Sequence, residues 1–294
     1  MMWLYLAILS TALFSVTNIM DKYVLTEFIR RPMFNTAVSG LVTFLGALLI
    51  PVFAAVSLPD MGLLAVCLAA GALFMAANYF FFRGVLSEEI SRAMPVVLAA
   101  APVFVLFIAA LFLGEVLLPG QYAGIAVLLF SSILISAERT TKIRMNACFW
   151  LMLVSALLYA TERVMMKHLL GFMDFWNVFF WVGAGAMLTV SGILVFYHGT
   201  FLRTLVELRR PSIYASMSEA ISTAATFIFT VAMSFGMVSL VQSVEYTQPA
   251  IVLALATLLS IYRPRIIREE LKSSVLGLKI IAIGIMVVGM FLIA

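Results

Sequence analysis

Apolar runs of about 20 positions recur along the whole chain, each bounded by charges, proline or glycine, and no stretch keeps the strict alternation of a half-buried strand. The runs predict ten membrane-spanning helices, at roughly 2–20, 34–56, 62–82, 93–113, 120–137, 146–168, 174–197, 212–235, 239–261 and 274–294, with edges uncertain by a few residues. Continuous runs exclude a transmembrane barrel, whose segments would alternate over about ten residues. The expected fold class is therefore an all-α membrane protein of ten transmembrane helices. Short connections make neighbouring helices antiparallel.

The pattern also repeats internally. Ser10–Leu25, STALFSVTNIMDKYVL, superposes on Ser155–Leu170, SALLYATERVMMKHLL, pairing Ser10 with Ser155, Phe14 with Tyr159, Asn18 with Arg163 and Lys22 with Lys167. A second constant offset aligns Pro95 with Pro249 and Glu115 with Glu269. The chain thus divides into two halves, 1–145 and 146–294, of five spans each. Five is odd, so the second half enters the bilayer from the opposite face, as in the inverted repeats of secondary transporters. The N-terminal run lacks a basic leader region and matches an internal helix, so it reads as a retained span rather than a signal peptide.

Composition agrees: 64% of the 294 residues are hydrophobic and 11% charged, and mean hydropathy is +1.15. Soluble domains are about half apolar and a quarter charged. The net charge of +4 does not imply nucleic acid, because in a membrane chain the placement of basic residues matters more than their sum. From Lys22, Arg30 and Arg31 to Arg268 and Lys272, the basic loop residues fall on the face opposite the termini, with Lys167 alone on the other side. The positive-inside rule then puts both termini outside the cytoplasm, in a multi-pass cell (inner) membrane protein. Cys67 and Cys148 sit in apolar segments without ligand-like spacing to His168 or His198, which suggests buried thiols, no disulfide framework and no metal.

Pro95, Gly114-Glu115 and Gln121-Tyr122-Ala123-Gly124 resemble the Pro…Gly-Glu…Gly signature that closes each repeat of the drug/metabolite transporter superfamily, EamA type. Asn18 and Lys22 in the first span, with Phe14 where that family usually has Trp, are similar to it as well. The second half departs: Arg268 stands where the glycine before Glu269 would be. The resemblance spans the whole chain and implies a ten-helix transporter rather than any one substrate.

Charge at the centre of a span costs about 2.5–3.5 kcal/mol on insertion scales, so such residues usually face protein or water. Four stand out: Glu162, Arg163, Glu219 and Glu245. Glu162 belongs to a stripe with Ser155, Tyr159 and Met166 at helical spacing. Neighbours in sequence point about 100° apart, so Glu162 and Arg163 are expected to find separate partners on other helices; the alternative puts both at the outer interface, reaching headgroups or water. Glu219 heads a stripe with Thr223, Thr226 and Thr230, which reads either as hydroxyls bonded to carbonyls one turn back or as a water-lined surface. Glu245 shares a face with Gln242 and Pro249, whose missing donor frees a carbonyl. Tyr246 and Arg92 occupy matching positions in the two halves. Asn18 and Asn78 suit interhelical hydrogen bonds as well as ligand contacts, and the glycines of Gly120–Gly124, Gly183–Gly185 and Gly284–Gly289 suit close helix packing.

No His-Glu-x-x-His, Gly-x-Ser-x-Gly or P-loop motif is present, so no enzyme, cofactor or ATP-driven pump is expected. The expected function is secondary transport of a small-molecule substrate, a metabolite, amino compound or drug, by export through alternating access. Its cavity would be lined by spans 1, 3, 4, 6, 8 and 9. A carboxyl group withdrawn from water at Glu162, Glu219 or Glu245 would exchange a proton for a cationic solute. Two alternatives stay open: a carrier of lipid-linked or amphiphilic substrates, with Arg92 and Arg163 at a sideways mouth, and a non-transporting receptor or assembly factor. The bilayer is the one extended partner implied, and oligomeric state is not legible.

Overall fold

The computed structural model describes residues 2–87, 90–136, 147–262 and 273–294. The charged loops expected at 137–146 and 263–272, with Glu269, and the side chains of Lys22, Arg92 and Pro95 lie outside the described residues. Every described element is helical. In the first half these are α1 (Met2–Glu27), α2 (Pro32–Ala47), α3 (Ile50–Phe53), α4 (Met61–Ser87), α5 (Ile90–Phe112) and α6 (Pro119–Ser136). In the second they are α7 (Ala147–Leu169), α8 (Phe175–Glu207), α9 (Arg209–Phe235), α10 (Val238–Ser243), α11 (Gln248–Tyr262) and α12 (Ser273–Ile293).

Polarity is inverted relative to a water-soluble protein. Phe196, Leu111 and Phe291 are 93%, 81% and 79% exposed, while Ser10, Thr17, Asn78 and Thr226 are buried. Large apolar side chains on the outside and hydroxyls within are what a bilayer solvent selects. Among the described residues, six helical segments are long and apolar enough to cross a membrane: those of α1, α2 with α3, α4, α7, α8 and α9. Shorter apolar stretches occupy α5, α6 and α12.

Several edges depart from the hydropathy windows. α1 continues about two turns beyond residue 20, and α8 and α9 extend into the expected loop until they meet at Leu208. The expected ninth span is three pieces: α10, a 3-10 turn over Val244–Thr247, and α11. Pro249 is the physical reason, since it offers no N–H to the Glu245 carbonyl and its ring crowds that oxygen. The winding tightens instead, and Gln248 N–H bonds the same carbonyl three residues back.

α1 packs on α9 and α4 on α7; α5 also lies on α7, and α11 on α1; α2 meets α8, and α6 meets α12. Two of these crossings need glycine. A Cβ at Gly71 would stand 2.3 Å from the Val182 carbonyl oxygen, and one at Gly185 would stand 2.6 Å from that of Leu68, so α4 and α8 touch backbone to backbone. Gly124 and Gly289 do the same for α6 and α12, whereas Gly120 and Gly284 face open space and do not serve the packing role expected of them.

The α9–α10 joint is held by two charges from elsewhere. Lys167 Nζ on α7 donates to the Met233 and Gly236 carbonyls, both at 2.7 Å, at the end of α9. Glu115 accepts from Val238 N (2.8 Å), Ser239 N (3.1 Å) and Ser239 Oγ (2.6 Å) at the start of α10. A cation at a helix C-terminus and an anion at an N-terminus are the signs the peptide dipoles favour. Gly114, at φ 66°, turns the chain so that Glu115 reaches across.

Candidate functional site

The helices enclose a cavity of about 130 Å³, room for several ordered waters or part of a small organic solute. It is bounded by α1, α4, α5, α7, α9 and the α10–α11 joint, the elements corresponding to spans 1, 3, 4, 6, 8 and 9.

On one side stand Arg163 and Tyr159 of α7 with Gln242 and Glu245 of the joint. Because Pro249 unwinds this stretch, Glu245 projects from 3-10 backbone rather than from a regular helix face. Gln242 Nε2 donates to Glu245 Oε2 at 2.5 Å, while Gln242 Oε1 has no partner although the residue is 3% exposed. Arg163 lies with its guanidinium carbon 4.3 Å from the Phe229 ring centre, a cation–π contact across to α9. Its Nη1 is likewise without a partner.

Glu162 corrects two expectations. It is 1% exposed and lies behind the cavity wall, so it neither lines the cavity nor reaches an interface. Arg163 meets Phe229 on another helix, yet Glu162 and Arg163 do stand close to each other, with Arg163 Nε 3.6 Å from Glu162 Oε2, an ion pair too long for a hydrogen bond. The long guanidinium arm bends back to bridge the 100° between them. Tyr246 also lies outside the cavity, fully buried, its hydroxyl donating to the Ala99 carbonyl at 3.2 Å.

The other side is built on α1, α4 and α9. Asn18, Asn78 and Glu219 line it, and a polar chain connects Asn78 to α7. Tyr159 Oη donates to Asn78 Oδ1 (2.5 Å) and Asn78 Nδ2 donates to Ser39 Oγ on α2 (3.1 Å). The threonine stripe below Glu219 divides: Thr226 reaches the cavity, while Thr230 bonds back to the Thr226 carbonyl at 2.8 Å.

Sequence reasoning missed Asp21. It lines the cavity beside Glu219 and accepts from Ser218 Oγ at 2.6 Å. The hydropathy edge near residue 20 set it among loop charges, although Phe14, Asn18 and Asp21 stand at i, i+4 and i+7 on one face.

Fold and site together define a class: an all-α protein whose apolar-surfaced helices fit a membrane and surround a cavity lined by ionisable side chains. No family model matches the chain, and no curated protein matches it. Solved structures share the fold: one, a crystal structure described only as that of a protein, aligns over 99% of this chain and 94% of its own, with a TM-score of 0.68 at 16% identity. At that identity the likeness is one of fold.

Proposed function

We propose that the chain is a ten-helix secondary transporter of small organic solutes, related to the drug/metabolite transporter superfamily and built from two inverted five-helix halves. The observation that carries this reading is the cavity, whose walls come from both halves and hold ionisable side chains that membrane helices otherwise avoid.

The two-half reading is supported by matched packing. Ser10 Oγ donates to the Ala225 carbonyl, joining α1 to α9, and its repeat mate Ser155 donates to the Ala77 carbonyl, joining α7 to α4, each at 2.9 Å. Rocking of one half against the other would open the cavity to each side in turn, with export as the direction of work and a proton as the candidate coupling ion.

Reconstituted into proteoliposomes, the protein is expected to move at least one solute from a panel of amines, amino compounds and drugs above the level of protein-free vesicles. Glu245→Gln is expected to slow this flux about tenfold, or ~1.4 kcal/mol, and to flatten its pH dependence. Glu162→Gln is expected to act more weakly, because Glu162 lies behind the wall. Absence of flux for the whole panel would overturn the reading. An amphiphile carrier is less well supported, since Arg163 is buried against Glu162 and Phe229 rather than placed at a mouth.

A further inference from the structure

The charges around the cavity do not balance. Among the described lining residues, the carboxylates of Asp21, Glu219 and Glu245 share the space with one guanidinium, that of Arg163. Arg163 is already engaged, with Glu162 at 3.6 Å and Glu245 within electrostatic reach. Asp21 and Glu219 stand on other helices and face the same space: Asp21 of α1 accepts from Ser218, the sequence neighbour of Glu219 on α9, and both carboxyl groups line the cavity. Two like charges held out of bulk water interact far more strongly than in solution, so a positive charge placed between them is favoured.

Among the described residues, both carboxyl groups keep acceptor capacity: Asp21 takes one serine hydroxyl, that of Ser218. A carboxylate accepts about four hydrogen bonds, so both have capacity left for a ligand. A second observation points to a ligand as well. Gln242 Oε1 and Arg163 Nη1, on residues 3% and 6% exposed, find no partner among the described residues at the same cavity. Buried polar atoms in native proteins are rarely left so. Phe14, Phe74, Phe82 and Tyr159 supply aromatic wall between the two polar sides, suited to an apolar body and to the face-on approach of a cation.

We infer that the cavity selects small monovalent organic amines, seating the ammonium group on the Asp21–Glu219 pair and the apolar body against the aromatic wall, in exchange for a proton shared by that pair. This deepens the transport reading and rests on it. The exchange balances: the pair releases one proton as one ammonium enters, and no covalent bond is made. Among the described residues, the other ionisable groups facing the pair are Tyr159 and Arg163 from α7, with Glu162 behind the wall. Across the cavity Glu245 faces it from the joint, while α2 and α4 offer the neutral Ser39 and Asn78.

Binding of phenethylamine to the full chain in lipid nanodiscs tests the inference, by calorimetry in weakly buffered solution from about pH 6 to about pH 8.5, where the amine stays charged. The expected result is saturable binding that tightens as pH rises, with a proton released for each amine bound. Asp21→Asn and Glu219→Gln should each weaken binding about tenfold or more and remove the proton release, while the exposed Glu207→Gln leaves both unchanged. Equal binding of phenylpropionate, or amine binding that is flat with pH and releases no proton, would overturn the inference. The wild-type titration alone decides this if a variant fails to fold. Flux of non-amine solutes in proteoliposomes together with absent amine binding would sink the inference and leave the transport reading standing. Amine binding with proton release but no flux of any solute would do the reverse.

Discussion

A hydroxyl in a membrane helix can bond a carbonyl one turn back, and most here do: Thr11 to Ala7, Ser15 to Thr11, Thr161 to Leu157 and Thr189 to Gly185. Tyr159 cannot reach its own backbone, so its hydroxyl defines a contact between helices. The chain from Tyr159 through Asn78 to Ser39 crosses α7, α4 and α2, and both donors in it point the same way. Removing the tyrosine hydroxyl leaves Asn78 Oδ1 without its donor at a residue 6% exposed. Tyr159→Phe is therefore expected to destabilise the protein by about 1–3 kcal/mol, the cost of one buried unsatisfied group. Phe14, its repeat mate, carries no hydroxyl, so Phe14→Leu should cost less. Thermal unfolding of both variants in detergent checks this, and an unchanged Tyr159→Phe would mean that the chain is not held as a unit. Glu219, Glu245 and Arg163 were legible in the sequence because charge inside an apolar run is conspicuous. Asp21 was not, because it sits where hydropathy fades although the helix goes on.

Helix ends are where hydropathy is least informative, since the last turns often project beyond the bilayer and lose their apolar signature. α8 shows this: its 33 residues rise about 50 Å, well beyond a hydrocarbon core of about 30 Å. The broken ninth span had a visible cause in Pro249, yet nothing near it in sequence foretold that Glu115, more than a hundred residues away, would cap α10. In the sequence the Gly-Glu pair stands out through the internal repeat and a family resemblance; its physical role is to turn at Gly114 and supply an anion to the N–H groups of Val238 and Ser239. Glu115→Ala should leave two backbone donors and the Ser239 hydroxyl unpaired, lowering stability by about 1–3 kcal/mol. Glu115→Gln, which keeps an acceptor oxygen, should recover part of the loss. Hydrogen exchange at α10 separates a local from a global effect: faster exchange confined to Val238–Ser243 is expected, and unaltered exchange in Glu115→Ala would refute the capping role. Packing glycines were half legible, because spacing identifies candidates but only a facing backbone makes a glycine necessary, as at Gly71 and Gly185.

On the proposed two-half reading, contacts among the described residues of one half should have counterparts in the other, and the exchange α1 to α7, α4 to α9 and α5 to the α10–α11 joint carries one set onto its mate. α2 with α8 and α6 with α12 each map onto themselves, as pairs on a pseudo-twofold axis in the membrane plane would. Such an arrangement has no intrinsic up or down, so loop charge decides how it inserts. Lys167, the lone cation expected on the terminal face, donates its ammonium to the α9 carbonyls, so on this reading its charge is not presented to the membrane surface. Both ends of the chain should then lie outside the cytoplasm. A reporter active only in the cytoplasm, fused after Ala294, is expected to be silent, and one active only outside it should report. The same pair placed in the 137–146 loop should give the opposite readings. Cytoplasmic activity at Ala294 would show that the basic loops do not govern insertion, and would place the Lys167–Glu115 joint on the inner face.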